Sequence, residues 1–168
     1  MKFEINGQKY LSFYGGPFSQ WFEAPESFFE DGIEFNTAEK YMMYHKAKFF
    51  NDEEIAKKIL REPDPSDVKK LGRKVKNFNE DEWDKVKMDI VTQGNYLKFT
   101  QIPMMKEEFE KFKDFKFVEG SPYDLIWGVG LASNDPKITD PKNWKGQNLL
   151  GICIERAFDK IKRGQENA

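Results

Sequence analysis

Cysteine and histidine are nearly absent from this sequence. Among 168 residues there is one cysteine, Cys153, and one histidine, His45. A disulfide framework needs at least two cysteines, and zinc sites draw most of their ligands from these two residue types. The composition therefore excludes an internal disulfide and any cysteine-rich or histidine-rich metal site.

Long hydrophobic runs and an excess of one charge are also missing. No apolar run approaches the roughly 20 residues that span a bilayer, and residues 1–4 lack the apolar stretch of a secretory signal. With 27 basic and 29 acidic side chains the net charge is −2. This balance argues against a broad nucleic-acid surface but allows a small anion held by two or three local cations. We expect a soluble, cytoplasmic protein that does not bind membranes.

Linkers, internal repeats and low-complexity tracts are absent as well. A chain of 168 residues suits one domain and buries about 70% of its extended-chain surface. We therefore predict a single domain over residues 1–168, with residues 164–168 as a frayed tail.

Turn signals predict a small β portion near the N-terminus. Asn6-Gly7 favours a type I′ turn, so residues 2–13 are expected to form a hairpin. Asp31-Gly32 predicts a second hairpin between residues 27–29 and 33–35. A further short strand is expected at residues 115–118.

Helix start signals dominate the rest of the chain. Asn36 followed by Glu39 has the spacing of a capping box. Further start signals stand at Asp52, Asp64-Pro65, Asn79, Pro103 and Asn148, the last beginning a helix that ends near Lys162. The predicted fold class is mainly α (α+β), a compact multihelical domain with a small antiparallel β element near the N-terminus.

The first predicted helix carries two ionisable residues on an apolar face. Glu39 and Lys46 are seven residues apart, so they share one face about 10.5 Å apart along the axis. A carboxylate and an amine on such a face are costly unless they are paired, hydrogen-bonded or used for chemistry. Two plainer interpretations remain: Glu39 is only the capping carboxylate, and Lys46 extends its ammonium into solvent.

Aromatic residues are abundant, at 15% of the chain. Most phenylalanines are expected in the core. Residues 13–22 place two glycines and a proline among five aromatic residues, which is typical of an irregular loop whose backbone approaches another group closely. Some rings are expected to stack on a planar ligand, and the candidates are Tyr14, Trp21, Tyr123 and Trp127.

Turn residues near the C-terminus suggest an anion site. Gly128 and Gly130 leave the backbone free to turn its amides towards an anion, and Asn148 starts a helix whose free amides attract negative charge. Ordinary turn chemistry explains Gly128, Gly130 and Gly146 equally well. Asp124 likewise fits an Asx-turn or a cap before the apolar residues that follow it.

Six blocks of sequence, taken together, resemble a known family. They are FYGGPFSQW (13–21), FNTAEKYMMYHKA (35–47), LGRKVKNF (71–78), DEWDKVKMDIVTQGNYLKF (81–99), SPYDLIWGVGL (121–131) and WKGQNLLG (144–151). In order and spacing they resemble the NADAR, or YbiA-like, domain over nearly the whole chain. One departure is Gly120, where the family pattern implies a small residue such as alanine.

The resemblance implies an N-glycosidase that acts on ribosylated nitrogen, with a mostly helical fold and no metal or cofactor. Family members are associated with cleaving phosphoribosylamino pyrimidine intermediates of riboflavin synthesis, and others with removing ADP-ribose from guanine bases. The blocks imply Glu39, Lys46 and Asp124 as catalytic residues. The substrate-binding candidates are Tyr14, Gly15, Ser19, Trp21, Arg73, Tyr123, Trp127, Gly128, Gly130 and Asn148.

Two mechanisms fit these residues. Glu39 and Asp124 can act as a pair of carboxylates with different pKa values, around an oxocarbenium-like state of the ribose. Alternatively, a desolvated Lys46 attacks C1 of the imine that forms when a ribosylamine opens. A phosphate would be held by Arg73, Lys74 and the backbone of residues 128–130, although both cations fit solvated helix charges equally well.

We therefore expect hydrolysis of the C1–N bond of a phosphoribosylated heterocyclic amine. One alternative is release of ADP-ribose from guanine in nucleic acid, where a protruding modified base needs only a pocket. Another is a non-catalytic sensor of ADP-ribose or a nucleotide. A purely structural role ranks last, because it leaves the ionisable residues of the first helix unexplained.

Overall fold

Both predicted hairpins are present in the computed structural model, which describes residues 1–168. The four strands are β1 (Lys2–Ile5), β2 (Gln8–Phe13), β3 (Phe28–Glu30) and β4 (Ile33–Phe35). In the first turn Asn6 and Gly7 have φ angles of 50° and 81°, and in the second Asp31 and Gly32 have 52° and 79°. Positive φ at both central residues defines a type I′ turn, whose twist matches that of the flanking strands.

Six helices carry most of the remaining chain. They are α1 (Ala38–Phe49), α2 (Glu53–Arg61), α3 (Pro65–Gly72), α4 (Glu80–Gln101), α5 (Pro103–Phe112) and α6 (Leu149–Glu166). A fifth strand, β5 (Lys116–Glu119), follows α5, and two short 3₁₀ helices (Pro136–Thr139 and Pro141–Asn143) precede α6. The predicted fold class, mainly helical α+β, is confirmed. None of the helices combines the length and the apolarity that crossing a membrane requires.

The start of α1 differs from the prediction by one residue. Thr37, in an extended conformation, caps the helix by accepting a hydrogen bond from the Lys40 amide at 3.1 Å. Asn36 instead donates to the main-chain oxygen of Pro63 at 3.1 Å. Because Lys40 is the third residue after the cap, the predicted capping box of Asn36 and Glu39 is wrong.

The other predicted helix boundaries agree more closely with the structure. Helices α2, α3 and α4 begin after the side-chain caps predicted for them, Asp52, Asp64 and Asn79. Helix α6 begins after Asn148 as predicted, but it continues to Glu166 rather than ending near Lys162. It therefore includes the first residues of the predicted tail, 164–168.

The chain packs as two compact units. Unit 1 comprises Met1–Ser19 and Glu107–Ala168, and unit 2 comprises Gln20–Lys106. The prediction of a single domain over residues 1–168 stays a prediction.

The sheet of unit 1 is mixed rather than purely antiparallel. Its central strand, β2, pairs antiparallel with β1 and parallel with β5. In the parallel pair Leu11 lies opposite Phe117, and Phe13 lies opposite Glu119. Parallel neighbours need a long crossover connection, and β5 reaches β2 only after the helical middle of the chain. The antiparallel element predicted near the N-terminus is present as the hairpins β1–β2 and β3–β4, and the parallel pairing with β5 is an addition to it.

Side chains from α6 cover the outer edge of β5. Asn148 accepts from the Glu119 amide at 3.0 Å and donates to the Phe117 oxygen at 2.8 Å, and Glu155 accepts from the Phe117 amide at 3.3 Å. Helix α6 comes this close because Gly151 has no side chain: a Cβ there would overlap the Phe117 oxygen.

Helix α1 is the central helix of unit 2. It packs against α2, α3 and α4. Two glycines permit close approach: a Cβ on Gly72 would overlap the Met43 side chain, and one on Gly94 would lie 2.6 Å from the Tyr41 ring. This packing fixes the helix that carries Glu39 and Lys46.

Candidate active site

Glu39 lies in the first turn of α1 and is almost completely buried, at 4% exposed. Its amide donates to the main-chain oxygen of Gln20 at 2.9 Å. Because Thr37 is the cap, Glu39 occupies the second helical position, so the interpretation of Glu39 as a capping-box carboxylate does not hold. Glu39 is a buried carboxylate within electrostatic range of an amine, Lys46.

Lys46 is half-buried among aromatic rings. Its Nζ lies 4.5 Å from the centre of the Phe78 ring and 5.9 Å from that of Trp83. Burial lowers the pKa of the Lys46 ammonium, the charge of Glu39 opposes this shift, and the charge of Arg73 adds to it. The interpretation in which Lys46 merely extends into solvent is therefore not supported.

Unit 2 also brings cations near the same helix face. Arg73 caps the C-terminal end of α3, and its charge acts on Lys46. Lys69, one turn earlier on α3, lies 5.9 Å from the ring of Trp21, which is partly exposed. Lys74 is exposed. One cluster of ionisable groups in unit 2 thus contains Glu39, Lys46 and Arg73. Trp21 lies beside Lys69, a cation of α3.

Asp124 belongs to unit 1 and forms the turn that the plainer interpretation predicts. Its Oδ1 accepts from the amides of Ile126 at 3.0 Å and Trp127 at 2.8 Å. The Asp124 amide in turn donates to the Ser121 hydroxyl at 3.3 Å. These bonds fix the orientation of the partly buried carboxyl group. Its catalytic role stays a prediction.

The amides at the start of α6 are not open to an anion. Those of Asn148, Leu149 and Leu150 donate to the main-chain oxygens of Gly128, Ile126 and Trp127, at 3.1 to 3.2 Å. The loop that precedes the helix satisfies these three amides, so they do not provide the free donors that the sequence-based expectation requires. The side chain of Asn148 is engaged with β5 as described above.

The glycines of unit 1 serve close packing. A Cβ on Gly128 would lie 3.0 Å from the oxygens of Asp124 and Glu119, one on Gly146 would overlap the Gly128 oxygen, and Gly130 has a φ of 73°. The amide of Val129, between the two predicted anion-binding glycines, donates to the Glu119 oxygen at 3.0 Å. These contacts match ordinary turn chemistry more closely than an anion-binding nest.

Two tyrosines of unit 1 are strongly exposed. Tyr123 is 92% exposed and Tyr14 is 67% exposed. Because β2 and β5 are parallel neighbours, the residues that follow them, including Tyr14 and Tyr123, leave the same edge of the sheet. In the loop after β2, Gly15 is exposed with a φ of 73°, and the Ser19 amide donates to the Gly16 oxygen at 2.9 Å.

Three residues near the cluster of unit 2 were missed by sequence reasoning. They are Gln20, which accepts the Glu39 amide, and Phe78 and Trp83, whose rings flank Lys46. Phe78 ends one of the family blocks and Trp83 lies in the next, which was the available signal. No group of three His, Cys, Asp or Glu side chains converges as metal ligands would.

Comparison with known proteins decides the family. The model of the NADAR domain matches residues 11–162. The chain belongs to the NADAR family. A similar protein, "N-glycosidase R617" of Acanthamoeba polyphaga mimivirus, is 42% identical over 157 residues, which is 87% of this chain and 92% of that protein.

Two further proteins are similar to this chain. "Protein irg-1" of Caenorhabditis elegans is 34% identical over 136 residues, which is 80% of this chain and 64% of that protein. The NMR structure of the Escherichia coli protein YbiA has a TM-score of 0.74 and 23% identity, covering 94% of this chain and 88% of that one. At that identity YbiA supports the fold, which is the one predicted.

Proposed function

We propose that this NADAR protein hydrolyses the C1–N bond of a phosphoribosylated heterocyclic amine. The substrates would be ribosylaminopyrimidine phosphates of the kind that occur in riboflavin biosynthesis. Family membership and 42% identity to a protein named N-glycosidase support the reaction class, enzymatic hydrolysis of an N-glycosyl bond. The observation that carries the proposal is the buried carboxylate of Glu39 within electrostatic range of the half-buried amine of Lys46 on the same helix.

A lysine route uses the desolvated amine. A ribosylamine opens when its ring C1–O bond breaks and the ring oxygen takes a proton, which leaves an imine between C1 and the heterocyclic nitrogen. The amine of Lys46 adds to C1, and the heterocyclic amine leaves with a proton supplied by Glu39. Water hydrolyses the remaining lysine imine, releasing the ribose phosphate as an aldehyde and restoring Lys46. Burial favours this route because it lowers the pKa of Lys46 and so raises the neutral fraction.

An acid–base route uses two carboxylates. Glu39, when it carries a proton, would donate to the leaving nitrogen, and Asp124 would stabilise the positive charge on the sugar or activate water. The hydrogen bonds from the amides of Ile126 and Trp127 orient Asp124 for such a role. Only the lysine route passes through an imine that borohydride reduces to a stable adduct.

In this proposal side chains, rather than main-chain amides, bind the phosphate. The amides near Gly128 and at the start of α6 have main-chain partners, whereas Arg73 is exposed and lies within electrostatic range of Lys46. An arginine binds phosphate oxygens through two parallel hydrogen bonds. Trp21 and the exposed tyrosines remain candidates for stacking on the heterocycle.

The test is turnover of a ribosylaminopyrimidine phosphate by the purified protein, followed by mass spectrometry. Glu39→Gln and Lys46→Ala are expected to keep the wild-type melting temperature and to lose turnover. Lys48→Ala is the matched control, because Lys48 is an exposed residue of the same helix that pairs with Glu53 at 2.6 Å. Full activity in both Glu39→Gln and Lys46→Ala would contradict the proposal.

Two further arms separate the alternatives. If an ADP-ribosylated guanosine oligonucleotide is cleaved and the pyrimidine substrate is not, the function is release of ADP-ribose from a base. Saturable binding of either ligand with the glycosidic bond intact after long incubation would identify a sensor. Borohydride trapping of a Lys46 adduct would assign the lysine route, and its absence during turnover would assign the acid–base route.

A further inference from the structure

A buried pair of carboxamides joins α4 to the residue before Trp21. The Nδ2 of Asn95 donates to Gln20 Oε1 at 3.0 Å and to the main-chain oxygen of Val91 at 2.9 Å. Asn95 is completely buried and Gln20 is 9% exposed. Both donor positions of the Asn95 amide are therefore used, one within its own helix and one towards Gln20.

Gln20 also contacts the start of α1 through its main chain. Its carbonyl oxygen accepts the amide of Glu39 at 2.9 Å. Since Glu39 is the second residue of α1, its amide is one of the four that have no partner within the helix. One residue, Gln20, thus binds the first turn of α1 through its backbone and the interior of α4 through its side chain, and Trp21 follows it directly.

The remaining polar atom of Asn95 contributes nothing to this link. Its Oδ1 is buried and has no hydrogen-bond partner. A buried acceptor without a partner lowers stability, so Oδ1 offsets part of what the two bonds of Nδ2 contribute, whereas an apolar side chain would leave Gln20 Oε1 without the Asn95 donor. Thr92, one turn earlier on α4, also has a buried hydroxyl without a partner and makes no bond to Gln20.

We propose that Gln20 and Asn95 are positioning residues for the reaction, which hold Glu39 and Trp21 in one fixed arrangement. The kinetic part of this proposal rests on the proposed function. Neither residue needs to contact the substrate: Asn95 fixes Gln20, and Gln20 fixes the first turn of α1 together with the segment that carries Trp21. A small displacement of a catalytic group costs rate more than it costs binding.

Amide hydrogen exchange tests the link without using activity. We expect Asn95→Ala and Gln20→Leu to raise the exchange rate of the Glu39 amide about tenfold or more. Gln20→Glu keeps an acceptor for Asn95 and should retain protection, and Thr92→Val removes a polar group of α4 without touching the link. The Ala56 amide, which donates to the Asp52 oxygen at 3.0 Å, is the internal reference. Unchanged exchange at Glu39 in both Asn95→Ala and Gln20→Leu would overturn the proposal.

Kinetics provide the second readout. Both disrupting variants should lower kcat about tenfold or more, with KM within about twofold of wild type, while Gln20→Glu and Thr92→Val remain near wild type. A loss of stability that leaves kcat unchanged would mean a purely structural role and would overturn the proposal. If Asn95→Ala does not fold, Gln20→Leu against Gln20→Glu decides in the same way. If wild type turns over no ribosylamine, the proposed function fails, and the exchange experiment still decides whether the link exists.

Discussion

The Nζ of Lys46 lies 4.5 Å from the centre of the Phe78 ring, at the point where the chain enters α4. The negative face of an aromatic ring stabilises an ammonium, whereas the burial of Lys46 destabilises it. Phe78 is itself partly exposed, so one ring contacts both the amine of Lys46 and the solvent.

Replacing Phe78 with leucine should make Lys46 more reactive. Leucine keeps the surroundings apolar but removes the ring that favours the ammonium, so the pKa of Lys46, already lowered by burial, should fall further. The measurement is the pH midpoint for acetylation of Lys46, read by mass spectrometry. Phe49→Leu is the control, because Phe49 is similarly exposed. A midpoint that stays or rises in Phe78→Leu would contradict the prediction.

Lys98 should make the stability of the protein depend on alkaline pH. It is 1% exposed, and burial lowers its pKa to about 7. Between about pH 7 and the ordinary lysine pKa of 10.5, the unfolded chain binds more protons than the folded one, so stability rises with pH. The slope is at most about 1.4 kcal/mol per pH unit, and it disappears below pH 7.

Thermal unfolding between pH 6 and pH 10 measures this effect. The wild-type melting temperature should rise across the upper part of that range, and Lys98→Met should flatten the rise. Lys57→Met, at an exposed position of α2, should leave the profile unchanged. The same slope in wild type and Lys98→Met would show that this lysine is not the source.

Asp52 should support stability down to acid pH. Its two oxygens accept from the Lys76 amide at 2.9 Å and from the Ile55 amide at 3.1 Å, so one carboxylate caps α2 and holds the chain after α3. The hydrogen bond from the Lys76 amide holds the pKa of Asp52 below its usual value; burial opposes this shift, and the bond from the Ile55 amide adds to it. Its contribution is therefore complete above the unfolded pKa and is lost as pH falls through the lower, folded value.

The Asp52→Asn variant tests that contribution. One oxygen becomes a donor group facing an amide, so the variant should melt at a lower temperature than wild type at pH 6. The difference should shrink as the pH falls through the lowered, folded pKa of Asp52, where the wild-type carboxyl becomes protonated too. A difference independent of pH would assign the loss to packing instead.

Two glycines of α6 form a matched pair for testing the fit of that helix on β5. Gly151→Ala would bring a Cβ onto the Phe117 oxygen and should cost about 1–3 kcal/mol of unfolding free energy. Gly164→Ala adds its Cβ in open space and should stabilise the helix by up to about 1 kcal/mol. Urea denaturation measures both, and equal effects of the two substitutions would contradict the contact.

Local signals predicted the local structure well. The hairpin turns at Asn6-Gly7 and Asp31-Gly32, and most helix caps, depend on residues that are close in sequence, so the sequence contains their determinants. The cap of α1 was misassigned because the local sequence does not distinguish the neighbouring cap residues Asn36 and Thr37, of which Thr37 accepts the Lys40 amide.

The features that the sequence did not predict depend on contacts between residues far apart in the chain. The parallel pairing of β2 with β5 joins residues about a hundred positions apart, which no turn signal encodes. No local signal predicts that loop oxygens accept the first amides of α6. The burial of Lys98 likewise depends on packing against distant parts of the chain. Glu39 and Lys46 were predicted together because a single helix carries both.

The side chains that α6 lays along β5 also limit how this sheet can grow. The main-chain groups of Phe117 and the amide of Glu119 are bound by Asn148 and Glu155, and the Glu119 oxygen accepts the Val129 amide. An incoming strand from another chain would find no free ladder partner on that side. A strand from another chain could therefore extend this sheet only by pairing with the other edge strand, β1, which has four residues.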